Sequence, residues 1–309
     1  MEKMNNRVYG VVGIKSKMSN WNADFTGRPK SISDGSIFGS DKAFKFPIKK
    51  MWETQREKVL YVKSYKNEKG TLQARNLAER FLQLFEKNVK DIKDKKEVIR
   101  YLFSAIDVQN FGATFAEEKN NISITGAVQV GQGMNQYEDS TTEIIEILSP
   151  FTDSKKEDAQ NTSIGKKIVS NEAHYFYPFS INPENYRIYE EEIEGLVGYT
   201  KEAYQKFKEA CLVAATAYNT NSKAGCENEF AIFVECKEES KLYLANLDQY
   251  IKFEKGEHGK DIIDYTLLAD LLTGEGIESQ IEAVEIYYNS YTTELKGEIK
   301  NSKIKSLFA

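Results

Sequence analysis

"RVYGVVGIKSKM", residues 7–18, decides the fold reading. It is rich in Val and Ile and reads as a strand that ends in lysines. Its neighbours give the strand its context. Residues 19–39 form a long loop punctuated by Gly27, Pro29, Gly35 and Gly39. Ser40 and Asp41 then look like a helix N-cap, and Ala43, Phe44, Ile48, Met51 and Trp52 supply an apolar stripe, with Pro47 a possible kink inside it. Further strands are expected at 58–65, 120–131, 166–179, 229–237, 241–247 and 281–288. Helices are expected near 72–86, 94–106 and 200–218, the last with Ala203, Phe207, Ala210, Cys211 and Ala214 on one face. The order is strand, helix, strand, insertions, strand, helix, strand. It predicts a βαββαβ sheet domain with helices on one side, heavily elaborated.

The charge is uneven. Up to residue 66 the chain carries 14 basic and 6 acidic residues, a net +8, whereas the remainder holds 28 and 41, a net −13. A basic N-terminal part on an acidic body points to a polyanion held on one face, or to a merely solvated helix face. With 309 residues, 40% hydrophobic and 29% charged, the chain is long enough for a sizeable core. The N-terminus shows no apolar signal region, and the longest apolar run, near 210–218, is too short for a bilayer. A cytosolic protein with no membrane partner is expected. Cys211, Cys226 and Cys236 are an odd, scattered set, which argues against a disulfide framework or a zinc site.

Several chemistries are poorly supplied. There is no phosphate loop, and the pairs Gly131/Gly133 and Gly274/Gly276 lack the third glycine of a dinucleotide fingerprint. No cofactor is implied. Of the two histidines, His258 lies in a turn-like "KGEHGK". His174, beside aromatics in "NEAHYFYPF", is either a half-buried strand histidine or a general acid/base. Asp24, in a cation-rich glycine loop, is placed to bind a metal or an RNA hydroxyl, or else to pair with Arg28 or Lys30. By contrast, Lys42, Lys45 and Lys49 are spaced three and four apart on one helix face. The Ser40/Asp41 end of that helix offers backbone N–H groups to phosphate. Cations with small residues and no base-reading code are what backbone-directed nucleic-acid binding requires.

Four stretches, "NADFTGRPKSISDGSIFGSDKAFKFPIKKMW" (22–52), "IDVQNFGATFAEEKNNISITGAVQVGQGMNQ" (106–136), "SIGKKIVSNEAHYFYPF" (163–179) and "NTNSKAGCENEFAIFVE" (219–235), occur in an order that resembles one family. This is the backbone subunit of the type I-B CRISPR surveillance complex (Cascade), CRISPR-associated protein family seven. The resemblance spans about residues 7 to 250, and "NFGA" followed by "ITGAVQVGQG" is its most specific part. It implies an α+β fold: a modified RNA-recognition-motif (ferredoxin-like) antiparallel sheet as a palm, with helices, a helical finger insertion at 66–118 and a thumb hairpin at 139–168, all in one domain over 1–309. It also implies copies aligned as a helical filament along a CRISPR RNA guide beside other Cascade subunits. The guide bases stay free to pair with target DNA.

Carried onto this chain, the resemblance sets Asn22, Lys30, Ser40, Lys42, Lys45 and Lys49 on guide phosphates. Phe111 and Gly112 fall at a tight turn beside the RNA, and Gln129, Gln132 and Asn135 on the RNA backbone. Met134 wedges against a base, Lys166 and Lys167 lie at the base of the thumb, and Lys223 is a weaker candidate. Gly112 and Gly126 also read as backbone-permissive positions. No catalytic activity is expected. The alternatives are a metal-dependent RNA endonuclease using Asp24, and a protein scaffold in which the basic patch meets the acidic "EEEIEG" (190–195) of another copy.

Overall fold

A computed structural model describes residues 2–148, 163–256 and 259–308. The chain opens with β1 (Val8–Ser19), a two-residue strand β2 (Phe38–Gly39) and helix α1 (Asp41–Thr54). Next come a hairpin of β3 (Tyr65–Glu68) and β4 (Thr71–Ala74), helices α2 (Leu77–Phe85), α3 (Lys95–Phe103) and α4 (Ile106–Phe111), and a hairpin of β5 (Gly112–Glu117) and β6 (Asn120–Thr125). Short strands β7 (Val128–Val130) and β8 (Gly133–Asn135) lead to β9 (Thr142–Leu148) and the long β10 (Ser163–Ile181). After these come α5 (Arg187–Glu192), α6 (Lys201–Ala217) and β11 (Cys226–Cys236). The C-terminal part holds β12 (Lys252–Glu254), β13 (Asp261–Asp264), α7 (Thr266–Leu272), β14 (Ile281–Tyr288), β15 (Thr293–Lys296) and β16 (Lys303–Ser306).

The main sheet runs β16-β14-β11-β1-β10-β8-β2, with β7 and β9 also on β10. β1 lies at its centre, antiparallel to both β10 and β11. Alternation along β1 sorts the core into two. Val8, Val12 and Ile14 face a cluster with Phe44, Ile48 and Trp52 of α1 and Phe207 and Ala210 of α6. Tyr9 and Val11 face a second cluster with Phe230, Ile232, Val234, Ile263, Leu268 and Leu272. The central strands are therefore covered on both faces, which is why they read as nearly continuous apolar runs. Helices α1 to α4 and α6 cover one face, but α7 lies on the other, so the helices are not confined to one side as expected. The C-terminal segment covers the other, a role that no local sequence signal marks.

Two expected strands are absent. Residues 58–64 bury Val59, Leu60 and Val62 without any ladder. Their backbone bonds go elsewhere: the Asp107 carboxylate accepts from the amides of Leu60 and Tyr61, both at 2.8 Å, and Arg80 donates to the Val59 carbonyl at 2.7 Å. Residues 241–246 are likewise irregular, with Leu242 and Leu244 packed on the second cluster. The expected strand at 120–131 is two strands in different sheets, β6 and β7, parted at Gly126 and Ala127. The helix expected from residue 72 begins at Leu77, capped by Asn76, because 71–74 pairs as β4. The tip of the expected thumb, 149–162, lies outside the described residues, as does His258.

Candidate nucleic-acid interface

The loop from β1 to α1 is tied down rather than free. Bridges join Ala23 to Pro29 and Ser31 to Ile37. The Asn20 amide donates to the Gly27 carbonyl at 3.0 Å. Asn22 accepts from the Ser40 amide at 2.8 Å, while the Ser40 hydroxyl accepts from the Ala43 amide at 3.2 Å and caps α1. The loop's far end rests on Tyr177. Trp21 donates to its hydroxyl at 2.6 Å, and Phe44 stacks on its ring. Gly39 and Gly133, paired in β2 and β8, allow this approach. A Cβ on Gly39 would sit 1.8 Å from the Tyr177 oxygen, and one on Gly133 2.5 Å from its ring.

This frame sets a ring of cations around the start of α1. Lys42 and Arg28 are exposed and Lys30 is half-buried, its amine 5.5 Å from the Phe38 ring centroid. None of the three has an ion-pair partner among the described residues. Lys45 pairs with Asp41 at 3.0 Å and lies over the Phe111 ring. Lys49 also faces that ring, 3.9 Å from the buried Asp107. Burial holds the Lys49 amine below its ordinary pKa and the Asp107 carboxyl above its own, each partly offset by the other. Phe111 itself stacks on Trp52. Gly112, after it, has φ +75°, and a Cβ there would lie 2.1 Å from the Ile124 carbonyl. Gly126 faces the same crossing, where a Cβ would lie 2.3 Å from the Phe111 backbone. Both glycines thus serve a close backbone approach.

The second motif packs against the same helix start. Burial works to raise the Asp41 pKa, but Lys45 and, to a lesser degree, Gln132 hold it below its ordinary value, and Met134 pairs with Phe38 across β8 and β2. Asn135 spends its side chain internally, accepting from the amides of His174 at 2.8 Å and Tyr137 at 3.2 Å and donating to the Tyr137 carbonyl. Gln129 donates to the Gly126 carbonyl at 2.8 Å. Asn22, Lys30, Ser40, Lys42, Lys45, Lys49, Phe111, Gln132 and Met134 are thus tied to the β1–α1 loop, to α1 or to its immediate neighbours. Lys166 and Lys167 stand apart on the β9–β10 ribbon, the former 3.9 Å from Glu146. Lys223 is a structural clamp: its amine donates to the carbonyls of Asn20, at 3.0 Å, and Trp21, and burial lowers its pKa.

Asp24 pairs with neither Arg28 nor Lys30 through side chains. Its Oδ1 accepts from the Thr26 amide and hydroxyl and from the Arg28 amide, at 2.7, 2.8 and 3.0 Å. The Thr26 hydroxyl and these amides hold its pKa below the usual carboxylate value. The side chain closes its own turn.

His174 is fully buried rather than half-buried. Nδ1 lies 2.8 Å from Glu229, Nε2 3.2 Å from Glu172, and the ring stacks on Phe253 at 3.7 Å. Lys15 and Lys255 complete the group, bonding Asp261 at 2.8 and 3.0 Å, with Lys255 also 2.6 Å from Glu172. Among the described residues, Glu172, His174 and Asp261 are the one set with ligand atoms close enough for a metal, within 4.8 Å of one another. Their charge is already balanced by the two lysines. Burial pulls the His174 pKa down, but the two glutamates outweigh it and the net shift is upward. Glu172, bonded to His174 and Lys255, is held down at about 2. Sequence alone flagged only the histidine, since its partners lie far along the chain.

Taken together, an elaborated, mostly antiparallel sheet covered on both faces, with β14 and β16 paired in parallel, and a group of cations near one helix start describe a mixed α/β protein. The chain belongs to the CRISPR-associated protein Cas7 family, whose model matches residues 6–270. Among solved structures it is similar to a chain of a "CRISPR RNA-guided surveillance complex, pre-nicking", at 14% identity and TM-score 0.52, covering 96% of this chain and 95% of that one. A chain of a "CRISPR RNA-guided surveillance complex" aligns at 13% identity and TM-score 0.46, with coverage of 92% and 91%. At such identity the first likeness speaks for a shared fold. No curated protein matches the chain.

Proposed function

We propose that this chain is a non-catalytic, CRISPR RNA-binding backbone subunit of a type I-B Cascade complex, and that copies of it line up along the guide. The observation that carries the reading is the rim of unpaired cations, Arg28, Lys30 and Lys42, held by a rigid loop at the start of α1. Because the sheet faces are covered, RNA binds at this rim rather than across the strands, and it is gripped by phosphate contacts that leave its bases free. Family membership supports the assignment. In this reading the strand set β11-β1-β10 with β7 and β8, backed by α1 and α6, is a modified RNA-recognition-motif palm, with residues 66–118 as a finger and 139–168 as the thumb.

The ribbon of β9 and β10 favours self-association. Ile144, Ile145, Ile147 and Leu148 are all exposed on it, and apolar side chains so displayed on a projecting ribbon suit a neighbouring copy. Lys166 and Lys167 on the same ribbon then meet the guide between subunits. Target DNA enters by pairing with the held guide.

The test is binding of single-stranded RNAs of unrelated sequence by fluorescence anisotropy over a range of salt. The reading predicts sequence-independent affinity that falls steeply with salt, and a slope reduced by about 1 in Lys42→Gln. Asp24→Ala leaves the RNA intact and its binding unchanged. Salt-independent binding, or RNA cleavage lost in Asp24→Ala, contradicts the reading.

A further inference from the structure

The β3–β4 ribbon stands apart from the rim and from both cores. It forms a two-stranded sheet of its own, and seven of its eight strand residues are exposed. Such a ribbon is marginal on its own. Its turn is built for it: Lys69 and Gly70 have φ of 51° and 82°, the pattern of a tight primed turn, and Asn67 accepts from the Gly70 amide at 3.0 Å. One face is anchored, since Lys66 bonds Glu79 of α2 at 2.6 Å. The pairing of Tyr65 with Ala74 and of Asn67 with Leu72 puts these four side chains on the opposite face. There Tyr65 is 48% and Leu72 69% exposed.

That face is framed by charge. Residues 63–75 hold four cations and one carboxylate. The carboxylate, Glu68, is taken by Lys66. Lys63 lies over the Tyr65 ring at 5.0 Å, Lys69 caps the tip, and Arg75 reaches the Tyr65 carbonyl. None of these three has an ion-pair partner among the described residues.

We propose that this ribbon is a second nucleic-acid contact, entering the major groove of a B-form DNA duplex. Shape chooses the occupant. The ribbon is a separate two-stranded sheet exposed at seven of its eight strand positions, and its four-residue strands are about 14 Å long, whereas a single strand needs a concave, cation-lined channel. The major groove of B-DNA is roughly 12 Å wide and admits a two-stranded ribbon, but that of A-form RNA is too deep and narrow. Lys63 and Arg75 at the base and Lys69 at the tip are spread along the ribbon to meet phosphates, while Tyr65 and Leu72 lie against the base edges. The contact is independent of the rim reading, because it uses none of its residues.

The experiment compares the full-length chain with its Lys63→Glu/Lys69→Glu/Arg75→Glu variant, titrated by anisotropy into a labelled DNA duplex and, separately, into a single-stranded RNA. The variant is expected to bind the duplex at least about tenfold more weakly, with a salt slope lower by roughly 3, and to keep its RNA affinity within about twofold. Its melting curve stays that of the parent, since all three side chains lie outside the cores. Lys69→Asn, which keeps the turn, loses duplex affinity by about twofold to threefold. The proposal is overturned if the parent shows no duplex binding, if the triple variant binds duplex like the parent, or if RNA affinity falls in step. A change in particle size alone marks the ribbon as a protein contact and also overturns it. Loss of RNA binding by rim variants leaves the duplex result standing, so the two readings fail separately.

Discussion

Two charged regions lie at different ends of the design. Around His174, six ionisable groups from β1, β10, β11 and the β12–β13 segment neutralise one another, with His174, Glu172, Glu229 and Asp261 buried, Lys15 partly buried and Lys255 at the exposed edge. Around the start of α1, Arg28, Lys30 and Lys42 have no ion-pair partner among the described residues; Arg28 and Lys42 are exposed, and Lys30 is half-buried against Phe38. The first region latches the C-terminal cover to the main sheet, because Lys255 and Phe253 of that cover meet Glu172 and His174 there. In the proposed reading, the second keeps its field for a polyanion outside the chain. Paired, buried charge specifies how the parts of one chain fit together; unpaired charge on a rigid frame is what a polyanion binds.

The comparison is most sharply tested at His174. His174→Ala leaves Glu229 buried without its partner, and a cost of about 3–5 kcal/mol is expected in chemical denaturation. RNA affinity per folded molecule stays unchanged. A variant that stays fully stable, or that loses RNA while stable, breaks the division. Gly112→Ala should cost about 2–3 kcal/mol, since its φ of +75° and the carbonyl of Ile124 both oppose a Cβ.

The pH profile separates the regions further. His174 has a raised pKa, so its contribution is fully present below its unfolded value of 6.5 and is lost as pH rises through the folded value. Glu172 is lowered to about 2, so its contribution is present above its unfolded value of 4.5 and is lost as pH falls towards 2. The network is therefore strongest between those unfolded values, and melting temperature against pH should show a maximum there whose alkaline limb flattens in His174→Gln. The smallest effect belongs to the rim. Asp41→Asn frees Lys45 from its 3.0 Å pair, which costs about 0.3–0.5 kcal/mol of stability and raises RNA affinity by roughly twofold at low salt.

What the sequence disclosed depends on the range of the forces involved. β1, α1, α6, β11 and β14 were legible, because hydrophobic period and an N-cap are local signals. Residues 58–64 were not. Their apolar pattern suits a strand, yet their amides are claimed by Asp107, over forty residues away. The cover over the second sheet face is hidden for the same reason: Leu268 and Leu272 show their purpose only against Val11 and Ile232. At the start of α1, residue types and spacing singled out a lysine-bearing helix face, but not which of its lysines are paired. Lys42, Lys45 and Lys49 look equivalent in sequence, and only folding brings Asp107 to Lys49 and leaves Lys42 exposed.

The most direct test of the central claim is size-exclusion chromatography with absorbance at two wavelengths, on this chain produced together with a CRISPR array and its partner subunits. The account predicts a large particle that carries RNA, and loss of that RNA in Lys30→Glu/Lys42→Glu while His174→Gln retains it. A particle that forms without RNA, or one that keeps its full RNA content in the rim variant, would contradict it.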